Sequence, residues 1–141
     1  MTWEIILSAM LMLRPIAQND KWRGHEYASI AKVIERTCGQ DSWCDAVLIS
    51  VGHHESGYKI RARGKLGEVG PWQLLGANPA MRLTDQAKEA WRRWTVQGAE
   101  GYTGEGKCPC PLAVNRRLLA AIVQSIWGNS DALRDGRRTG S

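Results

Sequence analysis

The sequence predicts a mostly α-helical chain, folded as one domain over residues 1–141, with a small lobe of irregular hairpin or loop. Three observations predict it. Apolar residues recur at three- and four-residue spacing through long stretches. Gly- and Pro-rich breaks separate those stretches, and no repeat, linker or low-complexity segment divides the chain. A length of 141 residues is that of one domain. It is enough to bury a single core, with roughly two-thirds of the unfolded surface hidden.

The elements follow in order. Trp3 to Leu13 is an apolar run stopped by Pro15, the residue that cannot continue a helix. Gln18 to Gly24 is a polar turn. His25 to Cys38 carries Ile30, Val33 and Ile34 on one face, with Gly39 as its stop. Asp41 or Ser42 caps the next helix, which runs to about Glu55. Residues 57–70 hold Gly57, Gly64, Gly67 and Gly70, so a loop or short irregular hairpin is expected. Pro71 suits the first position of a short helix, Trp72 to Leu75. Thr84 caps a helix from Asp85 to about Gln97, ended by Gly98. Residues 98–111 are a second Gly- and Pro-rich loop. Leu112 to Trp127 is a last helix, apolar at Leu118, Leu119, Ile122, Val123 and Ile126. Residues 135–141 form a flexible basic tail.

The first segment admits two descriptions. Ile5 to Leu13 has the length of a signal h-region, and Pro15-Ile16-Ala17 could precede a cleavage site. Yet Glu4 stands where a signal carries a basic residue, and the first such residue is Arg14, after the run. The pattern favours a retained helix over a signal peptide at 1–17. The run is too short to span a membrane, so no transmembrane segment is expected.

Charge and cysteines narrow the partners. The net charge is +5, with 19 Lys and Arg against 14 Asp and Glu. Such a surface attracts polyanions: nucleic acid, anionic lipid or bacterial wall. The charge is scattered in pairs (Arg92-Arg93, Arg116-Arg117, Arg137-Arg138), and no zinc-finger, bZIP or RNP pattern is present, so nucleic acid is not the expected partner. Seven Trp with no Phe offer flat faces for sugar rings, although core packing is their first use. The four cysteines, Cys38, Cys44, Cys108 and Cys110, favour disulfides and an oxidising compartment. Cys38 and Cys44 flank a helix–helix turn and suit a local bridge. Cys108 and Cys110 are too close for a relaxed mutual bond, and one could cross to Cys38 or Cys44. Free thiols and a four-cysteine zinc site are the alternatives, the latter disfavoured by spacing.

The chemistry centres on Glu55. Val47, Val51 and Glu55 are spaced by four, so the carboxylate continues an apolar stripe. It also sits where the helix dipole favours cations. Lost hydration and the dipole both raise a carboxyl pKa, which is how a glutamic acid stays protonated to act as a general acid. The same device, an acid held against a tryptophan, is known in lysozyme. The bland counterpart is a solvated glutamate at a helix end. His25-Glu26 and His54-Glu55 begin like zinc-protease motifs, but Ser29 and Tyr58 stand where the second histidine is needed. No metal or cofactor is expected.

Glu55-Ser56-Gly57-Tyr58, then Gly67-Glu68-Val69-Gly70-Pro71-Trp72-Gln73-Leu74, then Gly101-Tyr102-Thr103-Gly104 resembles the pattern of soluble-type lytic transglycosylases, E-S-G, G-x-x-G-L-x-Q-[IL] and A-Y-N-A-G. These enzymes cleave peptidoglycan and share a goose-lysozyme-like fold. The resemblance covers about residues 40–128. Pro71-Trp72 departs from the usual Leu-x, and the Tyr102 segment matches loosely.

The resemblance implies Glu55 as the sole catalytic acid/base, with Ser56, Gln73 and Tyr102 as substrate contacts. Trp72 is expected on the cleft wall, and His54 at the cleft floor or helix end. It implies a monomer acting on peptidoglycan strands outside the cytoplasm: in a periplasm, at a cell surface or delivered by a phage. The product would carry 1,6-anhydro-muramoyl ends. The rivals are a hydrolytic lysozyme of the same fold, with Glu68 or Glu105 as second carboxylate; a non-catalytic wall-binding or virion module; and a basic nucleic-acid binder.

Overall fold

The computed structural model describes residues 2–101, with side chains described through residue 97. Four helices run in order: α1 Trp3–Leu13, α2 Arg23–Cys38, α3 Ser42–Ser56 and α4 Leu83–Gly101. The mostly helical class is therefore observed. The expected helix at 112–127, the tail at 135–141, Tyr102, Glu105, Cys108 and Cys110 lie outside the described residues.

Helix α3 is the centre of the packing. Every residue from Cys44 to Gly52 is buried, so this helix is enclosed all round. Helix α1 packs on both α2 and α3, and α4 packs on the same two. The core gathers Ile6 and Met10 of α1, Tyr27, Ile30 and Ile34 of α2, Val47, Leu48 and Ile49 of α3, and Ala87 and Ala90 of α4. The two small alanines let α4 approach closely.

The ends of α3 are set by named groups. The Asp41 side chain accepts from the Cys44 N–H at 3.0 Å, the N-cap bond expected of that residue. Gly57 takes the left-handed φ of 65° that stops the helix. The Arg23 guanidinium donates to the Gly57 carbonyl at 2.7 Å, placing a cation at the negative end of α3. A Cys38–Cys44 disulfide joins the end of α2 to the start of α3, with Cα atoms 5.3 Å apart. Closing so short a loop contributes only about 2 kcal/mol in the chain-entropy account. The local bridge, one of several pairings open to the sequence, is the one formed.

Three elements differ from expectation, the first being α2, which begins at Arg23, two residues before His25 and inside the expected polar turn. Helix α4 starts at Leu83 and continues past Gly98 to Gly101; one glycine in a helix costs about 1 kcal/mol, which a long helix absorbs. The short helix expected at Trp72–Leu75 does not form. Instead Val69 and Leu74 pair in an antiparallel bridge, with N–H···O bonds of 3.1 and 2.9 Å in the two directions. Gly70-Pro71-Trp72-Gln73 is the loop between them, closed by Gln73 N–H to Gly70 O at 3.0 Å. A second bridge, Arg63 to Val69, makes the irregular hairpin of the lobe.

Asp45 is the anomaly of the core. It is fully buried on α3, and neither carboxylate oxygen has a hydrogen-bond partner among the described residues. Burial is the main cause that pushes its pKa to about 7, and the charges of Asp41 and Glu35 add to it. A folded pKa above the unfolded value means the folded chain holds the extra proton between about pH 4 and 7. Stability should therefore fall as pH rises through that window, by at most about 4 kcal/mol at about 1.4 kcal/mol per pKa unit. Asp45→Asn should be more stable than the parent at pH 8 and similar to it near pH 4. Urea unfolding at the two pH values measures this; a parent whose stability rises from pH 4 to 8, with no gain in the Asn variant, would contradict it.

Candidate active site

Glu55 lies in the last turn of α3 and is half-buried. Its pKa is pushed up to about 7, first by burial and then by the charge of Glu68. Glu55 continues the four-residue spacing of Val47 and Val51, both buried in the core.

The hairpin supplies Glu68. The Gly64 N–H donates to Glu68 O at 3.0 Å, Gly67 N–H to Gly64 O at 3.1 Å, and Gly70 N–H to Ala62 O at 2.9 Å. The Glu68 side chain is held as well: its Oε1 accepts the Leu66 N–H at 2.6 Å. Its Oε2 lies against Gly64, where a β-carbon would collide with it. That same β-carbon would meet Gln73 Oε1 at 2.7 Å. Gly64 is therefore the small surface on which Glu68 and Gln73 converge. The Gly-rich stretch 57–70 does not by itself say which of its glycines the two side chains meet.

Gln73 was expected to offer both donor and acceptor. The structure commits its amide: Nε2 donates to Gly70 O at 2.8 Å, which leaves Oε1 as the presented atom. The backbone of Gln73 is at φ 50°, in the left-handed region that non-Gly residues enter at a cost. The Val69–Leu74 bridge on either side of the loop imposes that conformation. Tyr58, just past α3, is also left-handed at φ 64°. It is held there by burial, an edge-on contact with Tyr27 and an O–H bond to Ile49 O at 2.8 Å.

The other expected residues fall differently. Trp72 is not on a cleft wall. It is fully buried, and its Nε1–H donates to Leu48 O at 2.9 Å, so its ring fills the core against α3. The Ser56 hydroxyl donates weakly to Gly52 O at 3.4 Å and accepts the Lys59 N–H at 3.1 Å, a local cap on the helix end. His54 is exposed beside Glu55, and partial burial lowers its pKa. His53 is half-buried, with a pKa lowered by burial, then by Arg14 and His54. Tyr102 and Glu105 lie outside the described residues. No group of three metal-binding side chains occurs among those described.

A cavity of about 370 Å³ opens between the hairpin and the segment entering α4, lined by Ile60, Arg63, Val69, Met81, Leu83 and Gln86 among others. Glu55, Glu68 and Gln73 do not line it.

The link between Glu55 and Glu68 is measurable without any assumption about activity. Glu68→Gln removes a like charge, so the Glu55 midpoint should fall. It should stay above the ordinary 4.5 because burial is the larger cause. Carboxyl-carbon NMR titration reads this directly, and an unmoved midpoint would separate the two groups.

The described residues thus define a helical domain with a half-buried glutamate in the last turn of α3, its pKa raised by burial and by the charge of Glu68 on the hairpin. Compared with known protein families, curated proteins and solved structures, the chain matches none. No helix among the described residues is long and apolar enough to cross a membrane.

Proposed function

We propose that the protein is a peptidoglycan-cleaving lytic transglycosylase with Glu55 as its acid/base. The observation that carries the reading is the half-buried Glu55 with its pKa near 7, at the end of the buried helix α3. A wall-binding module has no use for an acid tuned in this way, and a nucleic-acid binder would not place two carboxylates together.

In this reading the Glu55 carboxyl protonates the glycosidic oxygen between N-acetylmuramic acid and N-acetylglucosamine, and the C1–O bond breaks. The substrate's own N-acetyl group stabilises C1. The Glu55 carboxylate then takes the proton of the C6 hydroxyl, and O6 bonds to C1 to close a 1,6-anhydro ring. Most glycosidases use two carboxylates; here the substrate supplies the second nucleophile. No cofactor takes part. The substrate lies outside the cytoplasm, which agrees with the Cys38–Cys44 disulfide. The test is to digest purified peptidoglycan and weigh the released muropeptides: anhydro ends support the reading, and intact strands reject it.

A further inference from the structure

The cavity between the hairpin and the segment entering α4 carries three polar side chains that lack a full set of partners. Gln86 of α4 lines it and is 5% exposed. Its Nε2 donates to Met81 O at 2.9 Å, which fixes the amide, and its Oε1 lies against the Gly70 α-carbon, also on the cavity wall. A β-carbon on Gly70 would collide with that oxygen. The Gly70 N–H does not serve it, because it is given to Ala62 O at 2.9 Å. Gln86 Oε1 is thus a buried acceptor with no hydrogen-bond partner among the described residues. Such groups are rare in native proteins unless a ligand or water completes them, since an unmade bond forfeits the acceptor's hydration. Arg61 and Arg63 line the same cavity, and no carboxylate among the described residues pairs with either. Val69 and the partly buried Ile60, Met81 and Leu83 give it apolar walls.

We propose that this cavity is a second binding site, one that takes an N-acylated aliphatic amino acid with a free carboxylate, as at the end of a peptide. The three features select that class together. Two guanidiniums call for an anion, and a carboxylate fits their planar forks. Gln86 Oε1 calls for a donor, which the N–H beside that carboxylate supplies. The apolar walls take the aliphatic side chain. Inorganic phosphate has no apolar body, and a plain fatty acid has no N–H. A volume of about 370 Å³ lies within the usual range of small-molecule sites. Because Glu55, Glu68 and Gln73 do not line the cavity, the proposal stands apart from the peptidoglycan reading.

The test titrates the full chain with N-acetylleucine and follows the Met81 methyl and Gln86 side-chain amide signals by NMR. Saturable shifts of both are expected, with a Kd below about 10 mM. N-acetylleucinamide, which lacks the carboxylate, and 4-methylpentanoate, which lacks the N–H, should each bind at least about tenfold more weakly. Arg61→Gln combined with Arg63→Gln changes two exposed side chains, so the fold should be kept. That double variant should bind N-acetylleucine no better than the parent binds its amide. Inorganic phosphate should move neither signal. Overturning results are no saturable shift with N-acetylleucine, equal binding of either analogue, or a double variant that binds like the parent. Equal shifts with phosphate would reduce the cavity to a bare anion site and overturn the peptide class. No glycan is cleaved in this titration, so its failure leaves the Glu55 reading untouched, and failure of that reading leaves the cavity untouched.

Discussion

Glu55→Gln is expected to lower peptidoglycan cleavage by about two to four orders of magnitude, the usual reach of general acid–base catalysis. The amide keeps the size and most hydrogen bonds of the acid but cannot give up and recover a proton. Folding should be intact, because the substitution removes an ionisable group that burial and the Glu68 charge both oppose in its charged form. Stability at pH 8 should rise slightly while activity collapses, which separates a catalytic loss from unfolding. The pH profile of the parent should fall on its alkaline side near pH 7, where Glu55 loses its proton. Retention of about a tenth of the activity, far above the acid–base range, would remove Glu55 from the chemistry.

Trp72→Ala is expected to have the largest effect on stability, about 3–5 kcal/mol, as for other buried aromatic truncations. The ring is fully buried against α3, and its N–H holds the Leu48 carbonyl. Its loss opens a cavity beside the helix that carries Glu55 and frees the loop that bears Gln73. Trp72→Phe should cost less, because it keeps much of the volume even though it loses the hydrogen bond to Leu48 O. Equilibrium urea unfolding with both variants measures the difference. A cost below about 1 kcal/mol for the Ala variant, typical of a surface change, would mean that the ring is not part of the core.

The residues of this chain differ in how far their local pattern reaches. Helices α1 and α3 were legible to within a residue or two because their signals are local. Pro15 stops α1, Asp41 caps α3, and Gly57 ends it. The Cys38–Cys44 bridge belongs with them, since six residues of separation already bring the two sulfurs to one turn. The half-burial of Glu55 was legible too, since four-residue spacing from Val47 and Val51 sets its face. The sequence pattern misplaced Trp72, because an aromatic beside a glycine loop looks the same whether it turns toward ligand or toward core. The decision came from helix α3, whose Leu48 carbonyl accepts the Trp72 Nε1–H from outside any local window. Asp45 illustrates the same limit: its N-terminal position in α3 suggests a solvated, dipole-favoured carboxylate, and only the packing of the other helices around α3 buries it. By itself, then, the sequence determined helices α1 and α3 with their ends, and the place of Glu55 in the last turn of α3, because those depend on neighbours three or four residues away. The tertiary structure alone decided which glycine lets Glu68 and Gln73 meet, which tryptophan becomes core and which acid loses its water, because those depend on what another segment brings to the same point in space.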